Sequence, residues 1–168
     1  LKSLGLEPNI VTKDGYTPLH RLAYNNRDPA IFEFFLTAGA DVNQKDAEGN
    51  TPFLNAASRN ELAMVKLLSK TVKDFDASNN EGQLALMFAF QRNSPEVVEF
   101  LLNKKSDAEV YSESRRNAKD KKGNTIAYYL VASFDSRKPN EFDAKLKLLQ
   151  EKNIQLNTIQ AEGNTLFH

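Results

Sequence analysis

The chain has 168 residues, and 22 Lys and Arg balance 22 Asp and Glu, so no global field draws it onto nucleic acid or an anionic membrane. Apolar residues make up 40 % and aromatics 10 %, enough to bury a core at the size of one domain or one short array. The absence of Cys excludes disulfides, thiolate zinc sites, iron–sulfur clusters and cysteine nucleophiles while leaving the compartment open, and the uncharged apolar run Leu84 to Phe90 is far shorter than the roughly 18 to 20 residues that span a bilayer.

In chain order, Leu1 to Val11 reads as the end of a helix and the extended segment after it. A turn and helix start follow at Asp14-Gly15-Tyr16-Thr17-Pro18-Leu19-His20, and the same phrase recurs at Glu48-Gly49-Asn50-Thr51-Pro52-Phe53-Leu54, Glu81-Gly82-Gln83-Leu84-Ala85-Leu86-Met87, Lys122-Gly123-Asn124-Thr125-Ile126-Ala127-Tyr128 and Glu162-Gly163-Asn164-Thr165-Leu166-Phe167-His168. Successive turn glycines lie 34, 33, 41 and 40 residues apart. Glycine suits a left-handed turn; Thr17 and Thr51 can accept a helical N–H; Pro18 and Pro52 follow at the first helical position, where φ is preset and no donor is missed. Leu84-Ala85 replaces Thr-Pro in the third unit, so its first helix should lack a side-chain cap, worth about 1 kcal/mol.

Each unit then carries an apolar cluster at helical spacing: Ile31, Phe32, Phe34, Phe35 and Leu36; Met64, Val65, Leu67 and Leu68; Val97, Val98, Phe100, Leu101 and Leu102; Leu146, Leu148 and Leu149. No single unit can hide such a stripe, so neighbours must stack into one elongated core. The phrase Gly39-Ala40-Asp41-Val42-Asn43 ends the first unit and is echoed by Gly5-Leu6-Glu7-Pro8-Asn9. Val72 stands at the position of Gly39, and a β-branched residue resists the left-handed conformation, so a different helix end is expected there.

Thr17-Pro18-Leu19-His20 followed by Gly39-Ala40-Asp41-Val42-Asn43 resembles the ankyrin repeat family across essentially the whole chain. The resemblance implies an all-α repeat solenoid, an array of helix-turn-helix units joined by β-hairpin loops. The units are a partial repeat at 1–11, repeats at about 12–44, 45–77, 78–110 and 111–158, and a partial repeat at 159–168. The fourth carries expansions within Val110 to Lys122 and within Phe134 to Phe142, and the stretch Asp135 to Asp143, polar or Pro in the main, reads as a flexible excursion. Neither end has the polar face of a capping repeat, so a longer parent chain is expected.

The resemblance also implies that His20 and His168 bridge the Thr hydroxyl and neighbouring loops by hydrogen bonds, a role that needs no titration. Phosphate-cradling glycine motifs, nucleophile elbows and calcium loops are absent, so no catalytic residue, metal or cofactor is expected. Asp41 is expected to cap local backbone. Five basic residues against two acidic ones between Glu113 and Lys122 suit a solvated loop better than a nucleic-acid grip, since only Tyr111 offers nearby stacking.

Partners of such arrays bind the concave side made by hairpin tips and inner helices. Carried onto matching positions, this implies Tyr16, Asn50, Gln83, Lys121 and Asn124 at the tips and Tyr24, Asn25, Ser58, Arg59, Gln91 and Arg92 on the inner helices. Tyr and Arg are the types most enriched at binding hot spots, which singles out Tyr16, Tyr24, Arg59 and Arg92. The expected function is a non-catalytic protein-interaction module, the alternative a structural or regulatory arm of a larger protein. The expected partner is a protein, with neither membrane nor nucleic acid, bound by a monomer.

Overall fold

The computed structural model describes residues 5, 7–25, 28–59, 61–92, 94–103, 117–154 and 156. Among these are eight helices: α1 Pro18–Asn25, α2 Pro29–Thr37, α3 Pro52–Ser58, α4 Leu62–Leu68, α5 Ala85–Arg92, α6 Pro95–Asn103, α7 Ile126–Ala132 and α8 Pro139–Glu151. They form four antiparallel pairs. The inner helices α1, α3, α5 and α7 stack in one row and the outer helices α2, α4, α6 and α8 in another. The inner row packs more extensively than the outer one.

Local chemistry accounts for the helix starts. Thr51 Oγ1 accepts the Leu54 N–H at 3.3 Å and Pro52 follows it; Thr17 Oγ1 faces the His20 N–H at 3.4 Å. Asp28 caps α2 through Ala30 N at 2.9 Å, ahead of Pro29. Thr125 occupies the same position in the fourth unit without capping α7, and its hydroxyl oxygen is buried with no hydrogen-bond partner among the described residues. Helix α5 starts after Leu84, where the other three units place a threonine.

Successive turns are built alike and joined to one another. In each, the residue three before the glycine pairs with the residue after it: Thr12 with Tyr16, Asp46 with Asn50, Asn79 with Gln83 and Asp120 with Asn124, at 2.9 to 3.1 Å. One oxygen of Asp46, Asn79 or Asp120 also accepts two backbone N–H groups of its own turn. The turns are linked by Ala47 N–H to Asp14 O, Asn80 N–H to Glu48 O and Lys121 N–H to Glu81 O, at 2.8 to 3.0 Å. The hairpins are too short for strands, and the only bridge among the described residues pairs Lys119 with Thr125.

Helix ends follow the residue at the left-handed position. Gly39 (φ +92°) lets Ala40 N–H reach Phe35 O and its own N–H reach Leu36 O, a Schellman end. Asn153 (φ +53°) does the same for α8, with Ile154 N–H on Leu149 O. At Val72 the chain instead keeps helical winding, and Lys70, Thr71 and Val72 donate to Leu67 or Leu68 carbonyls. This is the different end that the β-branched residue predicts. Asp41 caps Asn43 N–H at 2.9 Å, and Asn9 ties the preceding turn to Gly39 O and Asp41 N–H.

One continuous core runs along the stack, with Phe32, Leu54, Met87, Phe90, Leu102 and Leu130 fully buried. The first unit is the exception on its outer side. Ile31 and Phe34 are 45 % and 49 % exposed, whereas Met64 and Leu67, one repeat on, are buried. The segment read as a flexible excursion is corrected in part: Pro139 to Phe142 form the first turn of α8, which is lengthened to 13 residues. Ahead of it Asp135 pairs with Arg137 through two side-chain hydrogen bonds and Phe134 packs edge-on against Phe142, so the connection is held by its own contacts. Val110 to Arg116 and His168 lie outside the described residues.

Candidate partner-binding groove

A groove of about 470 Å³ opens between the turns of the first three units and helices α1, α3 and α5. Tyr16, Glu48, Asn50, Asn79 and Gln83 form its turn-side wall; Tyr24, Ser58, Gln91 and Arg92 form its helix-side wall, with Asn55 between them. A hollow of about 350 Å³ shares Tyr16 and Tyr24 and adds Thr12, Asp14 and Arg21. The Arg59 guanidinium lies over the Tyr24 ring, its central carbon 3.9 Å from the ring centre.

The turn-side wall is a row of amides joined by hydrogen bonds. Asn50 Nδ2 donates to Glu48 Oε2 at 3.1 Å, and Asn79 Nδ2 donates to Asn50 Oδ1 at 3.1 Å and to Gln83 Oε1 at 2.9 Å. Gln83 Nε2 continues to the Tyr129 hydroxyl at 2.9 Å, which donates to Asp120 Oδ2 at 2.6 Å. The chain of bonds thus crosses three units and spends most of their polar capacity on the protein itself. Burial first, then the Asp120 carboxylate, push the Tyr129 phenol up to about 12, so it remains a donor. Burial raises the pKa of Asp120, but hydrogen bonds from Tyr129, Asn124 and two backbone N–H groups outweigh it and hold the group below the usual carboxylate range.

Asn55 sits six residues after its turn glycine, the position that Tyr129 holds in the fourth unit. The tyrosine reaches the turn; the shorter asparagine does not. Its Nδ2 is buried without a hydrogen-bond partner among the described residues, although the residue lines the groove.

Two further buried polar groups hold units together. His20 is fully buried: its Nδ1 accepts from Thr17 N–H at 3.1 Å and faces Thr17 Oγ1 at 2.8 Å, and its Nε2–H donates to Asn50 O at 2.9 Å. Accepting a backbone N–H fixes the neutral tautomer, and burial lowers its pKa below 6.5 despite opposing help from Asn50 O and Asp46. Below the unfolded value the unfolded chain therefore holds the extra proton, and stability falls as pH drops through the window from 6.5 to the lowered folded value. Urea unfolding followed from pH 7 down to 5 should show this loss at no more than about 1.4 kcal/mol per pH unit. His20→Leu, which installs the residue type of Leu54 at the equivalent position, should remove that part of the slope. Lys145, only 5 % exposed on α8, donates to Phe90 O at 3.1 Å near the carbonyl end of α5, and burial lowers its pKa.

Of the residues expected at a partner surface, Tyr16, Tyr24, Asn50, Ser58, Gln83, Gln91 and Arg92 come together in this groove, with Arg59 at its edge. Asn25, Lys121 and Asn124 do not line it. Asn124 is held by Asp120 Oδ2 at 3.0 Å, and Asn50 is buried with both ends of its amide engaged. Sequence reasoning passed over Asn55, Asn79 and Lys145. Asn79 had a legible signal, since it shares with Asp46 and Asp120 the place three residues before a turn glycine.

Stacked helical hairpins, turn-to-turn hydrogen bonds and a continuous seam of core define a repeat-built scaffold with a grooved inner face. Residues 19–114 match a family model described as ankyrin repeats (3 copies), which is more than half of the chain. The chain belongs to the ankyrin repeat family. It is 29 % identical over 99 residues to the ankyrin repeat-containing protein P1E11.10 of Schizosaccharomyces pombe, covering 58 % of this chain and 46 % of that protein. It is 39 % identical over 101 residues to the tyrosine-protein kinase HTK16 of Hydra vulgaris (56 % and 13 %) and 27 % identical over 132 residues to the alpha-latroinsectotoxin-Lt1a of Latrodectus tredecimguttatus (79 % and 9 %). The chain thus spans less than half the length of each of these relatives. Ankyrin repeats are in general protein–protein interaction modules, and the family is generally non-catalytic. Among the described residues no helix is long and apolar enough to cross a membrane and no three His, Asp or Glu cluster as metal ligands.

Proposed function

We propose that the chain is a non-catalytic interaction module that holds a protein partner in the groove on its inner face. The observation that carries this reading is the groove itself: twelve residues from three separate units line one hollow whose turn-side wall is braced by hydrogen bonds before any partner arrives. A braced wall loses little ordering entropy on binding, so contact energy is retained as affinity. Tyr24 and Arg92 are exposed on the helix-side wall and are of types favoured at hot spots.

A second reading, that the array acts as an arm of a larger protein, is favoured by relatives named as a kinase and a toxin, of which the chain covers only 13 % and 9 %. The two readings are compatible, because an arm can act by holding a partner segment in the same groove. Selection of binders from a displayed library of peptide segments tests the groove. Selected clones should lose binding to the Tyr24→Ala and Gln91→Ala variants and keep it with Glu33→Ala and Glu99→Ala on the outer helices. Clones indifferent to the first pair and sensitive to the second would sink the concave-face reading.

A further inference from the structure

The groove's uncommitted polar atoms are unevenly divided. Glu48, its one carboxylate, is engaged by Asn50, whereas Asn55 Nδ2 is buried and unpartnered, and Arg92 and Gln91 make no side-chain hydrogen bond among the described residues. Arg59 has no carboxylate partner among the described residues either, and its contact with the Tyr24 ring holds the guanidinium beside the groove. Spare donors on one wall call for an acceptor-rich ligand. Arg59 and Arg92 also hold equivalent positions, ten residues after Gly49 and Gly82, at the ends of adjacent stacked helices α3 and α5. The axes of packed helices lie about 8–10 Å apart, which sets the spacing of the Arg59 and Arg92 backbones, while the Arg59 guanidinium leans back onto Tyr24 of α1. An extended chain in the polyproline II conformation rises about 3.1 Å per residue with three residues per turn, so side chains three apart share a face about 9 Å apart.

Resting on the groove reading above, we propose that the groove receives an extended acidic segment of a partner protein, with two carboxylates three residues apart on Arg59 and Arg92 and Asn55 donating to the chain between them. The acidic side chains face the helix wall. Glu48 stands on the opposite wall, where it disfavours the reversed placement of the same segment.

The test is an NMR titration with a capped eleven-residue Pro/Ala peptide carrying two Glu three residues apart, read at the Asn55 side-chain amide and the Nε–H signals of Arg59 and Arg92. Saturable shifts are expected at all three. Replacing both Glu by Gln, or the protein's Arg59→Gln or Arg92→Gln, should weaken binding about tenfold, while Lys70→Gln on the outer side should not. Unchanged thermal midpoints of the two arginine variants keep a folding loss from mimicking this result. Equal binding of the Gln peptide, equal binding with the two Glu adjacent, or no saturable shift at all overturns the proposal. A two-Lys peptide that saturates the same signals overturns it while leaving the groove reading intact; shifts confined to α2, α4 and α6 overturn both.

Discussion

Phe90→Ala is expected to cost about 3–5 kcal/mol, the range for truncating a large aromatic in a packed core. Phe90 is fully buried on α5, and the helix contacts both neighbours in the inner row. Its carbonyl is the one that Lys145 holds, so the side chain and the backbone at this position tie the third unit to the fourth through different groups. Cavity formation rather than lost transfer energy alone sets the size of the effect, because the hydrogen bonds that join the third turn to the second and to the fourth limit collapse of the helices into the void. Phe34→Ala is the internal comparison. That residue is 49 % exposed on α2 and meets Phe35 edge-on, so its loss should be well under half as costly. Urea midpoints measured on both variants check the ranking, and a reversal would contradict the placement of the core seam.

Gly49→Ala should be more damaging than Gly39→Ala although both glycines lie at positive φ, +78° and +92°. A Cβ at Gly39 meets nothing within 4 Å, which leaves only the left-handed strain of about 1–2 kcal/mol. A Cβ at Gly49 would stand 2.7 Å from the backbone nitrogen of Asn80 and 2.8 Å from its Cγ. Relief requires moving the next turn, and that movement breaks the bond from Asn80 N–H to Glu48 O and the bond from Asn80 Nδ2 to Ala47 O. The expected outcome is the cost at Gly39 plus at least one lost turn-to-turn contact, seen as a lower thermal midpoint for Gly49→Ala than for Gly39→Ala. Equal midpoints would mean that the turns are not in register as described.

The two glycines illustrate what a sequence carries and what it does not. Both were legible as left-handed positions from their place in a repeated phrase, and so were the caps at Thr17 and Thr51 and the altered helix end at Val72, because each depends on residues within a few positions along the chain. Crowding at Gly49 was not legible, since the obstructing atom belongs to a turn 31 residues away. The same divide runs through the groove. Tyr16, Tyr24, Gln83, Gln91 and Arg92 could be named by carrying the concave face of the ankyrin family onto matching positions of each unit. Which of them retain free donors depends on reach between units: Tyr129 is long enough to join the amide row of the third turn, whereas Asn55 at the matching position is not.

The expanded fourth unit shows the limit from the other side. Asp135 to Asp143 is polar and read as an open loop, yet Pro139 begins a long helix there. Its start has no side-chain cap, and what favours the helix is packing of Leu149 into the seam and Lys145 against the end of α5, contacts invisible to a window of nearby residues. By itself the amino-acid order determined the repeat, its turns and the helix starts, because these are short-range matters of φ, capping and the spacing of apolar groups. Only the stacked structure decided which polar groups are spent on neighbouring units and which keep free hydrogen-bonding capacity, because hydrogen bonding across units depends on distances that no local pattern encodes.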